Sequence, residues 1–416
     1  MKKIFVNYFN FSAGEFISRI FNFFTVIYLA RVLSVSNFGK INFAQSLGMY
    51  CLLFVSYGLD YIGLRELSKC KEKRCIDFYV SNIIAIRVVL FSIIYFCMFL
   101  GVLFMTKPFD IKLIIILYSL ISLPYVFDLL WVFQALEKMH IITVLKATSG
   151  ACLFLFIYTF VKTDSDIFRA AFCYPLSALL VAVIGIWIFR KTGKIKLSFE
   201  KRFWLLILKE ATPVCLILLM NTFSFNIPLI MLGFMRSEKD MALFGAAYKI
   251  FLISVLPLGI WFQICAPRLA RTSPLSWFFK KYIAASLIIS FSIALVVFLM
   301  APRIISILYG NEYNNSTMLL KIMSISIFIS GLLVSFASPL VMWGYQKYHL
   351  FACTIGASCV VTSGFFLINK FGAFGASIAS IISDLSVVCS VLIFLVFLFK
   401  KGSFRNIPLN LNNQYI

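Results

Sequence analysis

The side chains best placed to do chemistry are charges that stand inside long apolar stretches of this sequence. Three of them are basic: Arg19, Arg87 and Lys249. A charged side chain at the centre of a membrane costs about 2.5–3.5 kcal/mol on insertion scales, so residues of this kind are candidates for function. Arginine offers a forked set of donors and lysine a point charge, and both suit phosphate oxygens. We therefore expect these three residues to bind a phosphate-bearing substrate.

Four acidic residues stand in or beside the same stretches: Glu15, Asp60, Asp128 and Asp384. They are candidates to bind a coupling ion, H⁺ or Na⁺, or to neutralise a neighbouring base. Glu15 and Arg19 are four residues apart, which places them on one face of a helix, where they can pair. Asp128 is a candidate counter-charge for Arg87. The sequence leaves both interpretations open.

Membrane helices must position these residues. Of the 416 residues, 62% are hydrophobic and only 13% are charged, whereas about a quarter of a soluble domain is charged. A membrane helix needs roughly 20 mainly apolar residues, and about twelve such stretches follow one another, from Phe11–Leu33 to Ala373–Phe399. The stretches are continuous and do not alternate with polar residues, which excludes barrel strands. The sequence predicts an all-α polytopic membrane protein.

Basic residues are unevenly distributed between the two sides of these stretches. With 38 Lys+Arg against 16 Asp+Glu, the net charge is +22. If both termini lie inside, 24 basic residues fall on the inner side and 11 on the outer side. Loops rich in Lys and Arg stay in the cytoplasm, so we predict a multi-pass inner-membrane protein with both termini in the cytoplasm. Anionic lipid headgroups, and not nucleic acid, are the expected partners of this charge.

A basic loop near the middle of the chain divides the spans into two sets of six. We predict an N-terminal lobe over residues 1–190, a cytoplasmic amphipathic linker over 191–210, a C-terminal lobe over 211–400 and a cytoplasmic tail over 401–416. The Phe38-Gly39 pair recurs about half a chain later as Phe244-Gly245. Internal repeats are common in transporters, so we expect two pseudo-repeated six-helix lobes around a central cavity. Six prolines are expected to bend their spans: Pro124, Pro175, Pro213, Pro228, Pro257 and Pro339.

Catalytic and metal-binding motifs are absent from the sequence. It has no GxxxxGK[ST], HExxH or GxSxG pattern, and all loops are short. Cys70 and Cys75 lie in a loop predicted to be cytoplasmic, where thiols stay reduced, and the two histidines of the chain lie elsewhere. We predict that the chain is not an enzyme and holds no metal or cofactor. An ion gradient or the substrate's own gradient would then drive transport.

Several motifs occur in an order that resembles one family of membrane proteins, the O-antigen flippases of the multidrug, oligosaccharidyl-lipid and polysaccharide (MOP) exporter superfamily. The motifs are Tyr28–Leu33 with Asn37–Gly39, Tyr57–Leu59 with Arg65–Leu67, Trp131–Met139, Phe244–Lys249, Leu256–Gly259, Ala266–Leu269 and Tyr309–Tyr313. They are scattered over nearly the whole chain. Their order and spacing carry the resemblance more than any single match does.

The resemblance implies a flippase that carries an undecaprenyl-diphosphate-linked oligosaccharide to the periplasmic leaflet by alternating access. In related peptidoglycan-precursor flippases, an arginine in span one and a base in span eight line the cavity, which Arg19 and Lys249 would match here. The sugar would meet four amide side chains: Asn42, Gln45, Asn221 and Asn226. A polysaccharide polymerase and a chain-length regulator are the implied partners. A small-molecule exporter of the same superfamily, and a membrane enzyme of polysaccharide assembly, are the alternatives.

Overall fold

The chain folds into helices joined by short connections. A computed structural model describes residues 2–68, 70, 72–191, 200–269, 277–343 and 345–400, and the side chains of residues 2–13 and of some positions between 201 and 399, Asn221 among them, lie outside that description. No strand occurs in these ranges. Eleven helices among the described residues are long and apolar enough to cross a membrane. With α1 (Lys2–Val32), this confirms an all-α polytopic protein of about twelve spans.

The first compact unit covers Met1–Thr222. After α1, the second and the fourth spans of this unit are interrupted, and its other described spans are continuous helices. The helices are α2 (Val35–Ser56), α3 (Leu59–Leu67), α4 (Lys73–Phe104), α5 (Phe109–Ser119), α6 (Ser122–Val126), α7 (Leu130–Ala135), α8 (Met139–Phe160) and α9 (Ile167–Arg190). Together α2 and α3 make span two, and α5, α6 and α7 make span four.

The second compact unit covers Phe223–Ile416. Its helices are α11 (Glu238–Leu269), α12 (Trp277–Tyr309), α13 (Ser316–Met342), α14 (Gln346–Phe371) and α15 (Ala373–Lys400). The boundary between the units falls inside α10 (Lys201–Met235). The sequence predicts a separate linker helix over 191–210, but the structure continues 201–210 as the first turns of α10, and residues 192–199 lie outside the description.

Each unit pairs its spans in the same way. In the first unit α2 packs on α4 and α5, α5 packs on α9, and α8 packs on α9. In the second unit α11 packs on α12 and α13, α13 packs on α15, and α14 packs on α15. When the spans are numbered from the start of each unit, the same pairs pack in both units: span two packs on spans three and four, span four packs on span six, and span five packs on span six. The predicted pseudo-repeat is therefore present in the packing.

The recurring Phe-Gly pair lies at equivalent places in the two units. Phe38 is in the first turns of α2 and Phe244 in the first turns of α11, and both are fully buried. Polar contacts at each of these helix starts reach the connection between spans five and six. In the first unit Asn37 Nδ2 donates to Asp164 Oδ1 at 2.8 Å, and in the second Arg236 Nε donates to the Ile368 carbonyl at 2.9 Å.

The connection between α3 and α4 differs from the sequence-based prediction. We expected free thiols there, but the structure joins Cys70 and Cys75 in a disulfide, with their Cα atoms 5.9 Å apart. The two cysteines are five positions apart in the sequence, with Cys70 in the connection and Cys75 in the first turn of α4. This short separation brings the two sulfurs together.

Candidate functional site

Glycines at the contact between α1 and α8 bring a charged cluster together in the first unit. A Cβ atom at Gly14 would lie 2.6 Å from the Thr143 Cα, and one at Gly150 would lie 2.9 Å from the Ser18 Cα. Only glycine permits two helix backbones to approach so closely. Because the helices touch here, a side chain on α1 can reach the neighbouring turn of α8.

Glu15 lies at the centre of this cluster. Arg19 Nε donates to Glu15 Oε1 at 3.0 Å, which confirms that the two residues pair along one helix face. Lys146 Nζ on α8 donates to the other carboxylate oxygen. Two bases thus share one carboxylate, and the Arg19 side chain remains 49% exposed. We call Glu15, Arg19 and Lys146 the α1–α8 charge cluster.

A cavity of about 250 Å³ opens beside this cluster, within the first unit. Glu15, Lys146 and Ser149 line the cavity, as do Tyr125 and Asp128 of span four. The volume is enough for several water molecules, and the wall has enough polar groups to hold them. The cavity can therefore stay hydrated and carry an ion in the middle of an apolar bundle.

Arg87 lies outside the cavity wall. Its side chain on α4 is 0% exposed, and its guanidinium donates to Asp60 Oδ1 on α3. It also donates to the Asp128 carbonyl oxygen at 3.1 Å. Asp128, the candidate counter-charge, therefore contributes its backbone carbonyl, and the neutralising carboxylate belongs to Asp60.

The Asp60 carboxylate has further partners from both sides. Tyr125 Oη donates to Asp60 Oδ2 at 2.7 Å, and Ser56 Oγ donates to the same oxygen at 3.1 Å. The Arg87 guanidinium carbon lies 5.3 Å from the centre of the Tyr125 ring, in cation–π range. A buried charge pair is stable only when its remaining donors and acceptors are satisfied, and these contacts satisfy most of them.

The interruptions of spans two and four determine where Asp60 and Asp128 lie. Tyr57 has φ 48° and Gly58 has φ 74°, two successive left-handed residues that end α2 and begin α3. Span four stops being helical between α6 and α7, where the Asp128 carboxylate accepts the Leu130 amide at 3.0 Å. An aspartate at a helix start satisfies an amide that has no partner within the helix. The positions of both carboxylates are thus set by breaks in the helical backbone.

The second unit contains the remaining charged candidates. Asp384 on α15 lines a cavity of about 20 Å³ with Tyr248, Ser326 and Ser383, a space for about one water molecule. The Ser326 side chain is buried beside the Asp384 carboxylate in this wall. Lys249 follows Tyr248 on α11 and is half-buried, but it does not line this cavity.

The amides predicted to meet a sugar are dispersed. Asn42 is buried in α2 with 1% exposure, and Gln45, one turn later, is half-buried. Asn226 is half-buried in α10 of the second unit. The side chain of Asn221 lies outside the description. Within the first unit the structure brings Asn42 and Gln45 near each other, and the role of all four stays a prediction.

Two residues of the site were missed in the sequence. Lys146 was assigned to a cytoplasmic loop, but it lies in α8 and contacts Glu15. Its position inside the apolar segment Met139–Phe160 was the available signal. Tyr125 carries no charge, so nothing in its sequence context indicated that it would bind a buried carboxylate.

Known proteins resemble the chain in sequence and in fold. A family model described as polysaccharide biosynthesis protein matches residues 4–273. A protein of Shigella dysenteriae named "Putative O-antigen transporter" is 26% identical over 370 residues, which cover 85% of this chain and 90% of that protein. A protein of the same name from Escherichia coli K12 is 26% identical over 321 residues, covering 72% and 74%.

Solved structures share the fold at low sequence identity. The lipid II flippase MurJ aligns with a TM-score of 0.75 and 15% identity over 93% of this chain and 87% of that chain. A multidrug resistance MATE family transporter of the MOP superfamily aligns with a TM-score of 0.75 and 13% identity over 93% and 96%. These similarities establish the architecture, and the chemistry must be inferred from the residues.

Proposed function

Because the chain belongs to the polysaccharide biosynthesis protein family, we propose that it is a flippase that moves a lipid-linked oligosaccharide between membrane leaflets. Relatives named as O-antigen transporters align along most of its length. Their name supports an O-antigen repeat or a similar oligosaccharide as the cargo. The proposed lipid carrier is undecaprenyl diphosphate, and the proposed direction is from the cytoplasmic to the periplasmic leaflet of a bacterial inner membrane.

The observation that carries the proposal is the α1–α8 charge cluster. One carboxylate, Glu15, balances two bases, Arg19 and Lys146, so the cluster has one positive charge in excess. Arg19 is also the member with the most exposed side chain. An accessible guanidinium within an apolar helix suits the diphosphate of a lipid carrier, because its donors match phosphate oxygens in a forked arrangement.

Of the other predicted diphosphate ligands, Lys249 belongs to the proposal and Arg87 does not. Lys249 supplies a half-buried cation in the second unit, suited to bind phosphate as a point charge. The Arg87 guanidinium is fully buried and already paired with Asp60. A lipid headgroup would have to displace that carboxylate before it could reach the arginine.

A coupling ion is the second component of the proposal. Asp128 faces the cavity of the first unit, and Asp384 faces the small cavity of the second. Each is a carboxylate beside space for water, which suits H⁺ or Na⁺. Asp60 and Glu15 are charge-pairing residues in this proposal, because Arg87 neutralises Asp60 and both Arg19 and Lys146 neutralise Glu15. A polysaccharide polymerase and a chain-length regulator are the proposed partners that receive the cargo.

The test is complementation of a strain that lacks its own O-antigen flippase, with lipid-linked repeats measured on each leaflet. Arg19→Ala and Lys249→Ala should each abolish surface polysaccharide while the protein remains in the membrane at its normal level. Arg303→Ala and Lys321→Ala, which remove bases of α12 and α13, are the matched controls and should leave export unchanged. Vesicles with an imposed H⁺ or Na⁺ gradient then show which ion drives flipping.

Three outcomes would contradict the proposal. Normal display in both the Arg19 and the Lys249 variants would remove the diphosphate site. Drug sensitivity of a deletion strain whose surface polysaccharide is normal would indicate a small-molecule exporter. An altered polysaccharide chain length with intact flipping would indicate an enzyme of polysaccharide assembly.

A further inference from the structure

Two interrupted spans of the first unit meet at one buried arginine. Span two breaks at Tyr57 and Gly58, and span four breaks between α6 and α7. Arg87, on the uninterrupted helix α4, donates to Asp60 beyond the first break and to the carbonyl of Asp128 at the second. A single guanidinium therefore links both breaks to a continuous helix.

The second unit lacks this arrangement, although it repeats the packing of the first. Its equivalents of spans two and four, α11 and α13, run without interruption. Between α12 and α13 the close contact is made by small residues, since a Cβ at Gly331 would lie 2.4 Å from the Ser290 Cβ. The repeated fold thus forms without a buried arginine at this point. The cluster around Arg87 is an addition specific to the first unit.

Beyond the breaks, α3 and α7 form a single packed body. A Cβ at Gly63 in α3 would lie 2.6 Å from the Trp131 ring in α7. Trp131 and Phe133 belong to the same apolar core as Ile62 of α3 and Ile83 of α4. The two short helices therefore cannot tilt independently without separating buried surfaces. A tilt of the two helices together would keep the contact between Gly63 and Trp131 intact.

The break in span four, between α6 and α7, also orients the carboxylate of Asp128. The Asp128 carbonyl accepts a hydrogen bond from Arg87, and its side chain accepts one from the Leu130 amide. Asp128 also lines the cavity of the first unit. Tyr125, which lines the same cavity, donates its hydroxyl to Asp60. The arginine therefore fixes two residues of the cavity wall without touching the cavity itself.

We propose that Arg87 is a positioning residue that clamps the breaks of spans two and four together, so that α3 and α7 move as one body during transport. It holds Asp128 and Tyr125 in the cavity wall and makes no contact with the lipid-linked substrate. This inference rests on the proposed flippase function for its transport and binding readouts, while its stability readout is independent of that function.

The first test is a double-mutant cycle on Arg87 and Asp60. Arg87→Met and Asp60→Leu each leave one buried charge without its partner, so each should lower the melting temperature of the purified protein and lower export by about tenfold or more. The combined Arg87→Met/Asp60→Leu protein has no unpaired charge and should recover most of the stability, but export should stay low because the Asp128 carbonyl and the Tyr125 hydroxyl have lost their partners. A double variant that is as stable as the wild type and also exports like the wild type would overturn the proposal.

The second test uses Arg87→Lys, which keeps the charge but cannot hold Asp60 and the Asp128 carbonyl with one forked group. Purified protein is titrated with undecaprenyl diphosphate in detergent, and flipping per protein molecule is measured in vesicles. We expect a Kd within about twofold of the wild type and a flipping rate lowered by about tenfold. A purely structural role would lower the yield of folded protein and leave the rate per molecule unchanged.

Two results of this second test would overturn the proposal. Binding that weakens by about tenfold or more at an unchanged melting temperature would make Arg87 a substrate ligand. An unchanged flipping rate would remove its role in transport. If the wild type neither binds undecaprenyl diphosphate nor complements a flippase-deficient strain, the proposed function itself fails, and the stability cycle still decides whether Arg87 joins the two breaks.

Discussion

At the scale of single residues, Glu15 determines whether the α1–α8 charge cluster is stable. It accepts hydrogen bonds from both Arg19 and Lys146, so Glu15→Gln leaves two bases close together without a counter-charge. We predict a loss of about 1–3 kcal/mol in stability, because charged hydrogen bonds are lost and like charges remain. The melting temperature of the purified protein in detergent measures this loss.

A matched control is Glu210→Gln, which removes the partner of Arg65 in an ion pair that is 52% and 58% exposed. Exposed ion pairs contribute little to stability, so this variant should have the same melting temperature as the wild type. The double variant Glu15→Gln/Lys146→Met should regain stability, because one base then remains. Equal melting temperatures of the Glu15→Gln and Glu210→Gln proteins would show that the α1–α8 charge cluster contributes nothing to stability.

The sequence identified which residues carry charge in the membrane, because such charges are rare and costly. It could not identify most of their partners. Glu15 and Arg19 are neighbours on one helix, and their pairing was foreseen and is confirmed. Lys146 lies 131 residues from Glu15, and only the packing of α1 on α8 brings the two together. Contacts between distant segments depend on the fold, and local spacing does not encode them.

At the scale of helices, the packing of α3 on α7 can be tested with a single methyl group. Gly63→Ala would place its Cβ 2.6 Å from the Trp131 ring and 2.8 Å from Ile83 Cδ1. Trp131 is almost fully buried and cannot move away, so we predict a loss of about 1–3 kcal/mol in stability. Export should fall with it, since the same contact makes α3 and α7 one body.

The control is Gly101→Ala, the same substitution in α4, where nothing lies within 4 Å of the new Cβ. Alanine favours helix over glycine by up to about 1 kcal/mol, so this protein should melt at or slightly above the wild-type temperature. Thermal unfolding in detergent and surface-polysaccharide display compare the two variants. Stability of Gly63→Ala equal to that of Gly101→Ala would refute the tight contact between α3 and α7.

Helix existence was predictable from continuous apolar stretches, whereas helix interruptions were not. Prolines were expected to bend spans, and Pro124 does lie in the interrupted fourth span, in α6. Pro175 and Pro339, however, lie inside uninterrupted helices. The break at Tyr57 and Gly58 contains no proline at all. Left-handed backbone at a tyrosine is unfavourable in isolation, so the surrounding packing must impose it, and that packing is not visible in a local pattern.

At the scale of the whole molecule, the repeat explains why the sequence predicted so much of the architecture. Each six-span set is defined by its own apolar periodicity, and the Phe-Gly pair marks the same turn in both units. The boundary was less predictable. A basic loop indicated a linker over 191–210, but α10 continues through residues 201–235 and the units divide at Thr222 and Phe223. Compactness depends on long-range contacts, which a charge pattern does not report.

The distribution of charge makes a final prediction about orientation. Without Lys146, which lies inside α8, the sequence-based assignment leaves 23 basic residues on one side of the spans and 11 on the other, so the positive-inside rule places the end of α15 in the cytoplasm. Green fluorescent protein fused behind Lys400 should fluoresce, since it folds in the cytoplasm, and alkaline phosphatase fused there should be inactive. Phosphatase fused behind Lys162, between α8 and α9, should be active because that connection lies on the opposite side. Active phosphatase behind Lys400 would reverse the orientation, and with it the direction in which Arg19 and Lys249 would first meet a substrate made in the cytoplasm.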